Sequence, residues 1–462
     1  LKVAVSQDAI YRISYEDLVS QGLLSQSVSS SNIVLLGRKA GMLPYFNTED
    51  IQDGICSLPI QMEDGGDGVF GPGDYFLFFG QSPHVWTYNR DYGFLYQTNY
   101  YSDTNYYFIS ASAGNQQRVE ALPSSGGNGI AISTSMEHLH HENELANVCF
   151  GSVHWVGESF TSSGQSRTVT FNTPSPAGGQ NARLFIQTAA QTNSGSASFS
   201  IQAGGQSFQI RHTGHTGTDY SDPCTDYQNT EEEITVSSSQ TSVSFNFQKT
   251  TAAGNGYIDQ ISLIYPRNMI VQNEALFFRN PAALNQAATF SIQAGTAIQA
   301  WDITDIYHIG RLPLNQAGSI YSFSAPADSI LHEYVAFMPS SCPAPSFKGL
   351  VNPQNLQSAA NIDYIVVTHP AFQSQARRIA DLHRERDGYA TLVATTEEIY
   401  NEFSSGSKDP SAIRLFAKSI WDQSDSQHRP RYLLLMGAAS YDYKSKLGTL
   451  TDFVPTFESH DN

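Results

Sequence analysis

Three apolar runs near the end of the chain alternate with amphipathic helical stretches, and this alternation constrains the fold more than any other feature. The runs are residues 363–369 (DYIVVTH), residues 390–394 and residues 432–436 (YLLLM), the last stopping at Gly437. Between the first two, Phe372, Ala376, Ile379, Ala380 and His383 fall at helical spacing, and Gly388 follows. Thr395 and Thr396 are placed to cap a short helix containing Glu398 and Ile399. Asp409 and Pro410 open the next helix, with Asp at the N-cap and Pro in the first turn. Its apolar face is Ile413, Phe416, Ala417 and Ile420. Strands alternating with helices predict a parallel sheet covered on both faces. In such sheets chemistry gathers at the carboxyl ends of the strands, here Thr368 and His369, Thr395 and Thr396, and residues 437–442. Doubly wound domains usually carry about five strands or more, so residues 351–462 are expected to be the first, truncated part of an incomplete α/β domain.

Everything upstream reads as β. Residues 1–147 are expected to form an N-terminal β-rich domain. Its strands include residues 1–5, 10–13 and 33–36, and a short helix begins at Ser14 and ends by Gly22. The aromatic run 75–79 (YFLFF) is expected to be core, buried on both faces, because aromatic strands bury their large area. Residues 148–267 predict a β-sandwich of jelly-roll type, with alternation at Val169/Phe171, Phe199/Ile201, Phe208/Ile210 and Val243/Phe245/Phe247. Residues 256–265 are its strongest strand. Residues 268–350 continue as a β-rich connecting domain.

Only 15% of residues are charged while aromatics reach 12%, the profile of an exported β-rich protein with polar, weakly charged surfaces. The net charge of -18 argues against nucleic acid, which needs a basic footprint. Cys56, Cys149, Cys224 and Cys342 form no CxxC pair, so a zinc ribbon is not expected, and the spacing leaves disulfide pairing open. No run reaches the ~20 apolar residues of a membrane helix. His138, His140 and His141 cannot all face one ion from a helix or a strand, and they read as a polar linker rather than a metal site. His212 and His215 lack a ligand template. His154, Trp155 and Glu158 are read as cementing a junction with a neighbouring domain, with a sugar site as the other reading. No metal and no cofactor is expected.

No complete catalytic constellation is visible in the residues. His369 lies past the first parallel strand, but the nearest thiol in sequence, Cys342, sits in a Pro-rich linker. A Gly-x-Ser-x-Gly elbow is absent, and residues 437–440 are not a phosphate loop. Asp442 and Glu458 are candidate acidic partners for a histidine. The competing structural reading makes Asp442 a helix cap and His369-Pro370 a turn.

An ordered set of stretches carries a resemblance. They are residues 9–18 (AIYRISYEDL), 74–80 (DYFLFFG), 99–103 (NYYSD), 155–160 (WVGESF), 256–259 (GYID), 363–369 (DYIVVTH), 398–406 (EIYNEFSSG), 412–414 (AIR) and 433–437 (LLLMG). In this set the chain resembles the gingipain-like C25 family of cysteine peptidases, in particular its members that act as sortases of the type IX secretion system in Bacteroidetes. The resemblance implies a caspase-like α/β peptidase domain whose catalytic His and Cys both come later than Gly437 in family order, so no catalytic residue is carried over. His369 is not equated with the catalytic histidine, and His460 has no motif around it. The implied reaction removes a C-terminal sorting domain from secreted cargo and joins the cargo to a lipopolysaccharide conjugate. The implied partner is a PorV-like outer-membrane β-barrel that tethers the protein at the outer face of the membrane. The alternative is a non-enzymatic surface scaffold or carbohydrate-binding module with a partial peptidase fold.

Overall fold

The computed structural model describes residues 1–47, 54–124, 129–149, 151, 153–179, 181–192, 195–214, 224–448 and 452–457. The first sheet runs in the order Ala9–Ser14, Tyr75–Gly80, Cys56–Glu63, Val34–Gly37, Asn105–Ser110, Lys2–Val5 and Ser346–Gly349. The aromatic strand behaves as expected. Phe76, Leu77 and Phe78 are fully buried, and Phe79 packs on Phe277 with ring centroids 5.9 Å apart. The short helix Tyr15–Ser20 is started by a capping box: Ser14 accepts from the Asp17 amide, and the Asp17 carboxylate accepts from Ser14.

The sandwich consists of two antiparallel sheets. One orders Thr134–His141, Asn255–Asn268, Asn181–Gln191 and Asp226–Thr235; the other orders Ser166–Asn172, Gln240–Lys249, Ser196–Ala203 and Gln206–Thr213. Phe160, Phe199, Phe245 and Phe247 fill the space between them. Cys149 and Cys224 form a disulfide, with Cα atoms 5.9 Å apart.

The linker reading of residues 138–142 is overturned. Thr134–His141 is a strand paired along its whole length with Asn255–Asn268. Its polar sequence hid it because the outward histidines are covered by rings of a neighbouring hairpin, Val85–Asn89 with Gly93–Gln97. Trp86 stacks on His138 at 4.2 Å and Tyr96 on His140 at 3.7 Å. His141 instead bonds to Glu158 at 3.0 Å, so the three rings do not converge. Sheet membership also crosses the expected boundary at 147/148. Glu120–Ala121 and Ile130–Ile132 pair with strands of the 268–350 region, and Ser346–Gly349 returns to the first sheet. These strands are too short to leave a periodic signal.

In the last region three parallel strands lie in the order Thr391–Thr395, Tyr364–Thr368, Tyr432–Met436. Helix Gln373–Asp387 covers one face through Ala376 and Ala380, which pack on Val366. Helices Thr396–Phe403 and Pro410–Gln423 cover Ile365 and Val367 on the other. Both caps are formed as read: Thr395 with Glu398, and Asp409 ahead of Pro410. On that second face Tyr432–Met436 is the edge strand of the three, and within these residues Leu433 is 46% exposed and Leu435 48%.

The β-rich leader and the α/β region share a seam. Leu43, from the leader loop after Val34–Gly37, is buried in the same core as Ile365, Val367 and Phe416. The Leu43 amide donates to Asp409 at 2.8 Å, Arg38 donates to the Phe403 carbonyl at 2.9 Å, and the Arg414 guanidinium donates to the carbonyls of Pro44 and Tyr45.

Candidate active site

The carboxyl ends of the three parallel strands define the candidate site. The Thr368 hydroxyl donates to the Met436 carbonyl at 3.1 Å, closing the gap between the first and third strands. His369 follows immediately. Its Nδ1 accepts from the Ala371 amide at 3.2 Å, so the ring caps the turn Pro370–Phe372. Its open side faces Phe453, with centroids 5.2 Å apart.

Gly437 ends the third strand where the returning chain comes close: a Cβ there would sit 2.8 Å from a Val454 methyl. The chain then folds back, and the Ala438 carbonyl accepts from the amides of Phe453 (2.8 Å) and Val454 (3.2 Å). Asp452 is completely buried. One oxygen accepts from the Ser440 amide at 3.1 Å and the other pairs with Lys408 Nζ at 2.6 Å.

Asp442 is also buried, and both its oxygens are taken by backbone, accepting from the amides of Lys446 and Leu447 at 2.8 Å each. The carboxylate thus holds the turns of residues 443–447; no described helix begins there, so the expected helix cap is not formed. Glu458 and His460 lie outside the described residues, as does His215. His212 is buried between Thr188 (2.9 Å) and Asp226 (3.2 Å), and burial holds its pKa below the usual value.

Cys342 lies far from this edge, in the leader beside Arg12. Burial pushes its thiol up to about 12, the opposite of what a nucleophile needs. Trp155 packs toward Tyr441 of the strand-end loop (6.3 Å), as expected of a junction residue. Among the described residues no group of three or more His, Cys, Asp or Glu side chains is arranged to hold a metal. No described helix is long and apolar enough to cross a membrane. The residues that sequence reasoning missed are Lys408, Asp452 and Phe453. Asp452 followed by two apolar residues late in the chain was the available signal, a lone acid beside a buried run.

The edge thus provides a scaffold: a parallel sheet, a capped histidine, and a loop pinned by a buried ion pair. Residues 357–462 match the model of peptidase family C25, and the scaffold lies within that matched segment. The similarity extends to the leader. The chain shares its fold with dimeric latent PorU from Porphyromonas gingivalis, at a TM-score of 0.87 and 22% identity, over 99% of this chain. It spans 44% of the length of that protein. A CBM36 carbohydrate-binding module in complex with calcium and xylotriose overlaps 23% of the chain at a TM-score of 0.17, which carries no argument. No curated protein matches the chain in sequence.

Proposed function

We propose that these residues are the leader and the opening part of the peptidase unit of a cell-surface cysteine peptidase that serves the type IX secretion system as its sortase. The observation that carries this reading is coincidence. The C25 match falls on the parallel sheet, and the PorU-like fold continues through the whole leader. In the proposed reaction a cysteine thiolate, activated by an imidazole, attacks a carbonyl of the cargo, and backbone amides hold the oxyanion. Collapse of that intermediate breaks the peptide bond, the imidazolium protonates the departing amine of the sorting domain, and an amine of a lipopolysaccharide conjugate then attacks the thioester, forming the new amide and releasing the thiolate. Neither dyad member is assigned to a described residue; this chain supplies the sheet edge on which such groups are mounted. The leader serves as the platform that docks a PorV-like outer-membrane β-barrel and holds the peptidase at the cell surface.

The test uses the natural polypeptide that carries this sequence. Cargo with a C-terminal sorting domain is incubated with it, with and without the amine acceptor, and products are read by mass spectrometry. Loss of the sorting domain together with a new amide to the acceptor is expected, and thiol alkylation should abolish both. Cargo left intact under all conditions would sink the enzyme reading. Hydrolysis without transfer would reduce it to a peptidase. Failure of the barrel to co-purify would remove the docking role of the leader.

A further inference from the structure

We infer that Lys408 is a positioning residue that couples the seat of the leader to the loop at the strand ends; this rests on the reading of that edge as a peptidase site. Lys408 Nζ reaches Asp452 at 2.6 Å and donates to the Tyr443 carbonyl at 2.7 Å. The Asp452 side chain has no exposure, and among the described residues Lys408 is the cation paired with it. Through Ser440 and the paired amides of Phe453 and Val454, Asp452 fixes the chain that sets Phe453 against His369.

The turn that presents Lys408 is itself held by the leader. The Ser405 hydroxyl donates to the Tyr106 carbonyl (2.7 Å) and the Ser407 hydroxyl to the Thr104 carbonyl (3.0 Å). Lys2 Nζ donates to Asn401 at 2.9 Å and to the Gly406 carbonyl at 3.3 Å. On the far side of Lys408, Asp409 accepts from Leu43 of the leader. Ser405 has φ 51° and Gly406 φ 83°, two successive left-handed residues. A non-glycine in that region persists only when its surroundings over-determine it. The surroundings here are leader backbone. An unbroken run of contacts therefore leads from the strand Asn105–Ser110 and its preceding residue, through the turn 404–409, to the strand-end loop. Shifting the leader removes the hydroxyl anchors, relaxes the turn and withdraws the ammonium from Asp452. Docking on the leader thereby acts on the geometry of the edge without touching it.

Hydrogen–deuterium exchange of the whole chain tests this. In Lys408→Met the amides of Ser440, Phe453 and Val454 should exchange at least about tenfold faster while helix Gln373–Asp387 keeps its protection. Lys408→Arg should restore the slow rates. Ser405→Ala with Ser407→Ala, whose hydroxyls face only the leader, should speed the same three amides by about three- to tenfold. Wild-type exchange at those amides in the double serine variant would overturn the coupling. An equal rise throughout helix Gln373–Asp387 in Lys408→Met would make the lysine merely structural. Where Lys408→Met does not fold, Lys408→Met with Asp452→Asn removes the lone buried charge. Fast exchange in the loop then supports the inference, and wild-type exchange overturns it. These readouts need no peptidase activity, so they stand or fall separately from the proposed function.

Discussion

At the scale of the residue, local chemistry settles several roles that sequence left between two readings. His369-Pro370 was legible as a turn because it needs only its near neighbours. The covering of His138 was not legible, since it depends on Trp86 arriving from a separate hairpin. Two predictions belong here. His332 bonds to Asp302 at 2.8 Å and to Asp328 at 3.1 Å, and the Asp302 bond raises its pKa to about 9. The raised pKa means stability that is complete below about 6.5 and lost as pH rises toward 9. With the site partly open, we expect about 2 kcal/mol, read as a loss between pH 6.5 and 9 in denaturant titrations that His332→Gln does not show. Cys342 should resist alkylation at pH 8, reacting at least about 100-fold more slowly in the folded than in the denatured chain. Mass spectrometry of the tagged peptide reads this directly, and equal rates would refute the burial argument.

Individual elements were read best where caps and periodicity agree. The helices after Thr395 and Asp409 begin where Thr-x-x-Glu and Asp-Pro said they would. Tyr432–Met436 shows the limit of such reading. A run of leucines reads as buried, yet Leu433 and Leu435 lie on the edge strand of the three described, and burial there depends on neighbours a local pattern does not specify. The leader loop carrying Leu43 had no periodic signature, because that side chain's apolar contacts lie across a domain seam. Leu43→Ala should cost about 3 kcal/mol by loss of burial and cavity formation. Hydrogen exchange should then rise in Tyr364–Thr368 rather than in the leader sheet. A rise confined to the leader would mean that the loop does not contribute to the α/β core.

For the molecule as a whole, buried acids set the response to pH. Burial pushes Asp409 up to about 6, and burial with the nearby Glu142 pushes Asp259 up to about 7. Each holds a proton in the folded state that the unfolded chain has released, so their combined contribution weakens the fold as pH rises from about 4 to 7. Asp259→Asn should therefore stabilise the protein by about 3 kcal/mol at pH 8 and by almost nothing near pH 4. Denaturant midpoints at the two pH values check this, and a variant equally stable at both would contradict it. The Cys149–Cys224 bridge spans a sequence separation of 75. Replacing both cysteines by Ser should cost about 4 kcal/mol by chain-entropy reasoning, measured as a fall in the denaturant midpoint of the sandwich. The order of these parts along the chain has a further consequence for Leu43. A nascent polypeptide grows from its amino end at about 5–20 residues per second. The loop bearing Leu43 is made long before Ile365, Val367 and Phe416, the partners that will bury it. The leader can thus finish folding with that side chain held out, and the late-made strands condense onto it. For the segment that follows, the early part of the chain acts as a built-in template, joined to it by the backbone itself.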